Sequence, residues 1–453
     1  MDGKKNMNSQ RNIIRLTIGP KHHFFGFHDL PTWNFDDNKI LCLEVDKINR
    51  PPLLGEEAGV GYVDENGIYR KIGYTQAYNF PQGARMQWIG KSNQFIVNNI
   101  RNNSFVSDIY DAEINKMIAT YDFPCHQITK NGNFAFSINY SRLHRLGGYG
   151  YQGVEDFTKS EAIPTNDGIY IGDLKNKKKK LLISIRDVAN FPEKFQNESF
   201  GHHYLTHLLL NPSNNRIAFL HRYPLPDGGE ITRLMTIGAD GSDLRCLATG
   251  FLSHFDWKDD DTIFIYGRPN NSIEILRSMA IFSFPFIKNV ANIGKRIVRI
   301  ALRNKITNKN GFYLIKDENG QNYTKVAENI LTEDGHPMFC PTNRDWIIND
   351  TYPNKEGKRT LMLYSFSQNL RIDLGQFKMI FEKPDLTDSL SYFQEVDREK
   401  LKTIGVKNLA FTRSGLHCDL HPRWNMQGNK IAFDSIHEGS RQLYMADVSN
   451  FIK

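Results

Sequence analysis

One strand–turn–strand phrase recurs along the chain and restricts its fold more than any other feature. Its clearest copy, HPRWNMQGNKIAF, opens at His421. With that histidine as position zero, a large apolar or aromatic residue falls at plus three and a polar turn at plus five to plus eight. A run of Ile, Phe, Leu and Val follows. His336 opens HPMFCPTNRDWII, His207 opens HLLLNPSNNRIAF and His254 opens HFDWKDDDTIFIY. Three further copies keep the register without the histidine, at Leu30 (LPTWNFDDNKILCL), Arg85 (RMQWIGKSNQFIV) and Cys125 (CHQITKNGNFAFS). Each reads as a short strand, a turn and a β-branched or aromatic strand.

Most copies are followed by two more strand-like runs, as RTLMLYSF and LRIDLGQF follow the copy at His336. Four strands repeated seven times predict an all-β fold, a seven-bladed β-propeller of four-stranded blades that takes in residues 1–453 as a single domain. The last copy has three strands, and a spare strand, NIIRLTIG at 12–19, precedes the first. The N-terminal strand is therefore expected to complete the last blade, leaving only short edges exposed.

Composition narrows the partners. The 453 residues are 40% hydrophobic, enough for a large core, and carry a formal charge of +7. That sign favours an acidic partner. The charge is spread along most of the chain, so a dedicated nucleic-acid binder is not expected. Five cysteines without CxxC spacing suit a reducing compartment better than a disulfide framework. The first residues lack the apolar centre of a secretory signal, and no apolar run approaches the ~20 residues of a spanning helix. The expectation is a soluble, cytoplasmic monomer.

In a propeller the first strand of each blade lines the central channel, so the position-zero residues ring one mouth. The long insertions, 139–167, 185–206, 267–310 and 378–420, belong to loops of that same face, and loops of this length usually carry function. Four of the ring residues are His207, His254, His336 and His421. Neutral imidazoles converging from rigid strands suit a divalent transition metal, zinc or manganese. His221, at the end of a neighbouring strand, is a possible replacement. The same face gathers His126, His144, Arg142, Arg145 and Tyr149, then His202, His203, Tyr204 and Arg222. Arginine can fork onto a carboxylate, and histidine or tyrosine can move a proton near neutral pH. No GxSxG, GxxxxGK[ST], dinucleotide-type GxGxxG or HExxH is present.

The ordered set RPPLLGEEAGVGYVD, SRLHRLGGYGYQG, HLLLNP, SHFDW, DGHPMFCP and DLHPRW…FDSIHEG resembles the seven-bladed propeller polysaccharide lyases, ulvan lyases most and oligogalacturonate lyase more distantly. The resemblance runs from about residue 20 to the end. It implies β-elimination on a uronate-containing acidic oligosaccharide or polysaccharide, with a base at the C5 proton and protonation of the O4 leaving group. Two catalytic histidines about twenty residues apart match His126 and His144. Supporting residues would be Tyr204 and Arg222, with Arg142, Arg145, Tyr149, His202 and His203 toward the substrate. The metal ligands map onto His207 and His336 or His421, with His221 or His254 completing the set.

FPFIKNVANIGKRIVRIALRNKITNK at 284–309 holds seven Lys or Arg and no acid, with apolar residues at helical spacing. Such a segment could lie on an anionic membrane or guide a polyanion. The alternative to an enzyme is a propeller that binds glycan or protein without turnover, or a peripheral-membrane factor in surface-polysaccharide synthesis.

Overall fold

The computed structural model describes residues 4–5, 13–192, 201–224, 229–269, 310–319, 322–380, 382–387 and 389–452. The basic segment 284–309 lies outside the described residues. The chain divides into two compact units. The first comprises residues 1–157, 169–182 and 335–453, and the second comprises 158–168 and 183–334.

Short antiparallel sheets in strict chain order dominate the first unit. The strands His22–Phe24, Ile40–Val45, Ala58–Val63 and Tyr69–Thr75 form one sheet. Gln87–Trp88, Gln94–Arg101, Ser104–Asp111 and Lys116–Tyr121 form the next. A third begins with Gln127–Ile128 and Phe134–Ser137. A further sheet carries Met338–Phe339, Trp346–Asn349, Lys358–Ser365 and Leu370–Lys378, with Lys4–Lys5 added in parallel at its edge. The last is built from Arg423–Trp424, Lys430–Ser435 and Gln442–Asp447. Ile13–Arg15 completes it, pairing Ile13 with Ala446 and Arg15 with Tyr444. The spare N-terminal strand thus closes the C-terminal sheet.

In the second unit a single seven-stranded sheet runs from Tyr204–Leu210 to Tyr323–Val326. Its thirteen-residue strand Arg245–Trp257 pairs on one side through Arg245–Gly250 and on the other through Gly250–Trp257. It therefore serves as outer strand of one set of four and inner strand of the next.

The repeated phrase has a structural meaning at each position. Position zero lies just before the pairing residues, which fall at plus two and plus three. Arg85 precedes Gln87–Trp88, Cys125 precedes Gln127–Ile128, His336 precedes Met338–Phe339 and His421 precedes Arg423–Trp424. Arg85, His207 and His421 take left-handed backbone conformations, with φ of 53°, 56° and 42°. A non-glycine residue enters that region at a cost, which is met where a side chain must be re-aimed.

The aromatic at plus three links consecutive repeats. The indole N–H groups of Trp88, Trp257 and Trp424 donate to the carbonyls of Thr32, Leu209 and Met338, at 2.9–3.0 Å. Each acceptor is the plus-two residue of the repeat before. The turn is an Asx motif: Asn34, Asn211 and Asn425, all at plus four, accept backbone N–H bonds from the residues four and five positions on.

Three of the long insertions are partly described. The helix Tyr140–Gly147 occupies 139–167, capped by Asn139 and ended by left-handed Gly148. Ile185–Ala189 opens 185–206. Leu390–Phe393, Arg398–Ile404 and Val406–Arg413 fill 378–420. Among the described residues no helix is long and apolar enough to cross a membrane.

Candidate metal centre

His336 and His421 stand at the starts of two inner strands of the first unit, and their rings meet edge to face at 4.3 Å. Asp419 lies two residues before His421, and its Oδ2 is 3.9 Å from His421 Nε2. One potential ligand atom from each of His336, Asp419 and His421 falls within 4.8 Å of the others, and all three residues are buried. This is the one such group of three among the described residues.

Asp350 organises the cluster. It is fully buried. Its Oδ1 accepts from the backbone N–H of His336 at 2.8 Å and from His336 Nδ1 at 2.7 Å. Its Oδ2 accepts from the N–H groups of Leu420 and His421 at 3.1 and 3.3 Å. One carboxylate therefore joins both histidine-bearing segments and fixes the His336 tautomer, leaving Nε2 as the lone-pair atom. This is the support that metal-bound imidazoles characteristically receive.

Other polar and aromatic groups complete the neighbourhood. The ring of His28 lies 5.3 Å from that of His336 and 6.2 Å from that of His421. Phe27 packs edge-on against both. His417 Nε2 is 3.3 Å from Asp419 Oδ2, and Tyr352 sits between the rings of His336 and His417. Arg359, 1% exposed, places Nη1 2.7 Å from Asp419 Oδ1 and lies over Tyr352. Its Nε and Nη2 have no hydrogen-bond partner. Burial works against ionised Asp419, but His417 and Arg359 outweigh it and hold the carboxyl well below its ordinary range. Burial, then His336, keeps His421 well below the usual histidine value, so its ring is neutral near pH 7.

The donors suit a divalent ion. Two imidazoles and one carboxylate fit zinc, manganese or iron(II). His421 Nδ1 is buried without a hydrogen-bond partner, which is costly unless something binds there.

The structure distributes the remaining sequence-derived candidates. His207 and His254 belong to the second unit. Each lies where a strand register slips, and their rings are 6.3 Å apart. His254 Nδ1 is 3.2 Å from Asp334 Oδ1. His221 has both ring nitrogens engaged. Nδ1 accepts from Arg233 at 3.0 Å, and Nε2 meets His203 Nδ1 at 3.0 Å, so no lone pair is left for a metal. His203 stacks on Tyr223, and His202 is half-buried beside it in the chain. Tyr204 donates to Glu230 at 2.9 Å, and Arg222 lies 3.9 Å from the same carboxylate.

His126 is buried with Nδ1 2.9 Å from the Tyr140 hydroxyl. His144 is fully buried in the helix Tyr140–Gly147, with Nε2 3.1 Å from the Tyr392 carbonyl. Burial lowers its pKa to about 4. The two histidines thus have separate partners, and that of His144 ties two insertions together. Arg145 forks onto Asp156 at 2.8–2.9 Å with Arg142 3.8 Å away, while Tyr149 lies under Arg413.

Sequence reasoning missed Asp350, Asp419, His28, Tyr352, Arg359 and His417. Two of these were within reach: Asp419 stands in DLHPRW, two residues from His421, and Asp350 stands two residues past the phrase that His336 opens.

No protein-family model matches the chain, and no curated protein matches it. Solved structures do. Oligogalacturonate lyase from Vibrio parahaemolyticus superposes with a TM-score of 0.58 at 11% identity, covering 97% of this chain and 95% of that one. An oligogalacturonate lyase in complex with manganese gives 0.57 at 11% identity, covering 98% and 95%. At that identity the likeness is one of fold. With the ordered four-stranded sheets it makes the chain an all-β protein of the β-propeller class.

Proposed function

We propose that the chain is a seven-bladed, metal-dependent propeller lyase, a single propeller from end to end, that cleaves a uronate-containing acidic glycan by β-elimination. The observation that carries this is the buried His336–Asp419–His421 cluster braced by Asp350. The manganese complex of a fold neighbour supports a divalent ion without choosing between manganese and zinc. His336, Asp419 and His421 would hold the ion, which when bound would supply Lewis-acid polarisation of a uronate carboxylate and so acidify the adjacent C–H.

The chain's own residues supply the rest. Arg359 keeps one nitrogen on Asp419 and has two N–H-bearing nitrogens left for a substrate carboxylate, a geometry suited to bidentate capture. His417 Nδ1 has no hydrogen-bond partner, so this ring can take a proton beside the cluster. Tyr352, in ring contact with both His336 and His417, would return a proton to the leaving oxygen. Asp350 holds the His336 ring in one orientation throughout.

The test is ultraviolet absorbance of the protein with galacturonate, glucuronate, iduronate and mannuronate oligomers, supplied with manganese or zinc. Growth of the conjugated unsaturated-uronate signal on one of them, reduced by Arg359→Gln or His417→Gln, is expected. A flat trace on all four would overturn the proposal in favour of glycan binding without turnover.

A further inference from the structure

The edge of the third sheet in the first unit gathers positive charge that nothing beside it balances. Gly168–Asp173 pairs with Phe134–Ser137, and Lys178–Ser184 follows it as the outer strand. The turn and the start of that strand read KNKKKK, five lysines within residues 175–180, and every residue of the run is exposed.

The acid next to the run is committed to the turn. Asp173 Oδ1 accepts from the backbone N–H groups of Lys175 and Asn176, both at 2.9 Å, and its Oδ2 accepts from Asn176 Nδ2 at 2.7 Å. Among the described residues no carboxylate forms an ion pair with Lys175, Lys177, Lys178 or Lys180. Two ammonium groups lie over aromatic rings instead. Lys177 Nζ is 5.7 Å from the centre of the Tyr121 ring, and Lys179 Nζ is 5.2 Å from that of Tyr170. Tyr121 ends the outer strand of the second sheet, so the strip reaches across two sheets.

Neither turn geometry nor edge protection asks for these lysines. Three outer hairpins of this unit have a four-residue loop whose last residue is left-handed. That residue is Asn115 after Ser104–Asp111 and Asn369 after Lys358–Ser365, with φ of 52° and 47°. Here it is Lys177, with φ of 54°, although asparagine enters that region more readily. A single charge can blunt a strand edge, and the outer strand Lys116–Tyr121 carries one lysine. Lys178–Ser184 opens with three in succession. Lys178 and Lys180 share one side of the extended strand, roughly 7 Å apart.

We propose that this strip is a docking surface for a linear acidic polysaccharide, whose anionic groups along one chain meet a row of ammonium groups along one strand. As Lys177 and Lys179 turn to the polymer, the Tyr121 and Tyr170 rings offer its sugars flat apolar faces. The choice of polysaccharide rests on the acidic-glycan reading of the metal centre; the unbalanced row of charge does not. Residues 175–180 carry no apolar side chain that could enter a bilayer, which sets the strip apart from a membrane-surface element. The strip shares no residue with the metal centre: it holds polymer and performs no chemistry.

The experiment is calorimetry of the full chain with polygalacturonate, polymannuronate and neutral dextran, and with phosphatidylglycerol vesicles and single-stranded DNA. Chelator is present throughout, so metal-dependent turnover cannot consume the polymer. At least one uronate polymer should bind at least about tenfold more tightly than dextran and lose affinity as salt rises. Lys177→Gln, Lys178→Gln, Lys179→Gln and Lys180→Gln together should weaken that binding at least about tenfold with the melting curve kept. Removing the same charge elsewhere, through Lys47→Gln, Lys91→Gln, Lys316→Gln and Lys355→Gln, should keep most of the affinity. The proposal is overturned if neither uronate polymer binds above dextran, or if the two quadruple variants bind alike. It is equally overturned if vesicles or DNA engage the strip more tightly than both polymers. Strip-dependent binding without turnover in metal-loaded protein would sustain this inference while the elimination fell. Turnover with binding indifferent to the strip would do the reverse.

Discussion

Asp350 offers the sharpest test at the scale of single residues, because one buried carboxylate orients His336 and tethers the His421 segment. Asp350→Asn keeps the shape but removes the charge-assisted bond to Nδ1. Metal affinity measured by calorimetry should fall about 10–100-fold, the range found when such supporting groups are lost. His144 gives a prediction of opposite character. Its folded pKa of about 4 lies below the 6.5 of an unfolded histidine. The unfolded chain therefore binds the extra proton first. The contribution is fully present above pH 6.5 and is lost as pH falls toward 4, amounting to about 3 kcal/mol over that window. Urea unfolding at pH 7 and pH 5 should show about 2 kcal/mol of this loss, and His144→Gln should remove that share of the difference.

At the scale of elements, Trp88, Trp257 and Trp424 at plus three each clamp their repeat to the one before. Trp424→Phe keeps an aromatic ring but removes the donor to the half-buried Met338 carbonyl, and should cost about 1 kcal/mol in urea unfolding. Trp88→Phe should cost a similar amount through Thr32. The same elements show what could be learned before the structure. The register of the repeat was legible because its plus-two, plus-three and plus-four residues answer local demands: strand pairing, an indole bond and an Asx turn. The closing strand was legible because the last copy lacked its fourth strand, and Ile13–Arg15 supplies it. The convergence of His336 and His421 was legible from their shared place in the repeat. Asp419, Asp350 and Arg359 were not, because an acid or arginine in a strand-and-turn sequence is ordinarily a surface residue. Only the fold shows these three buried around one point. His221 misled for the converse reason: its spacing placed it near the ring, while Arg233, across the strand pair, takes its free nitrogen.

At the scale of the whole molecule, a β-propeller framework carries a buried cluster of two histidines and one carboxylate. The proposed elimination requires metal and rate to rise and fall together. The most direct measurement is the rate of unsaturated-uronate formation as manganese is titrated into metal-stripped protein, followed alongside the amount of metal bound. No signal is expected in the stripped protein, and the rate should grow in proportion to occupancy. His421→Ala should abolish both binding and rate. A rate that is unchanged without metal, or a fully loaded protein inert toward every uronate substrate, would contradict it.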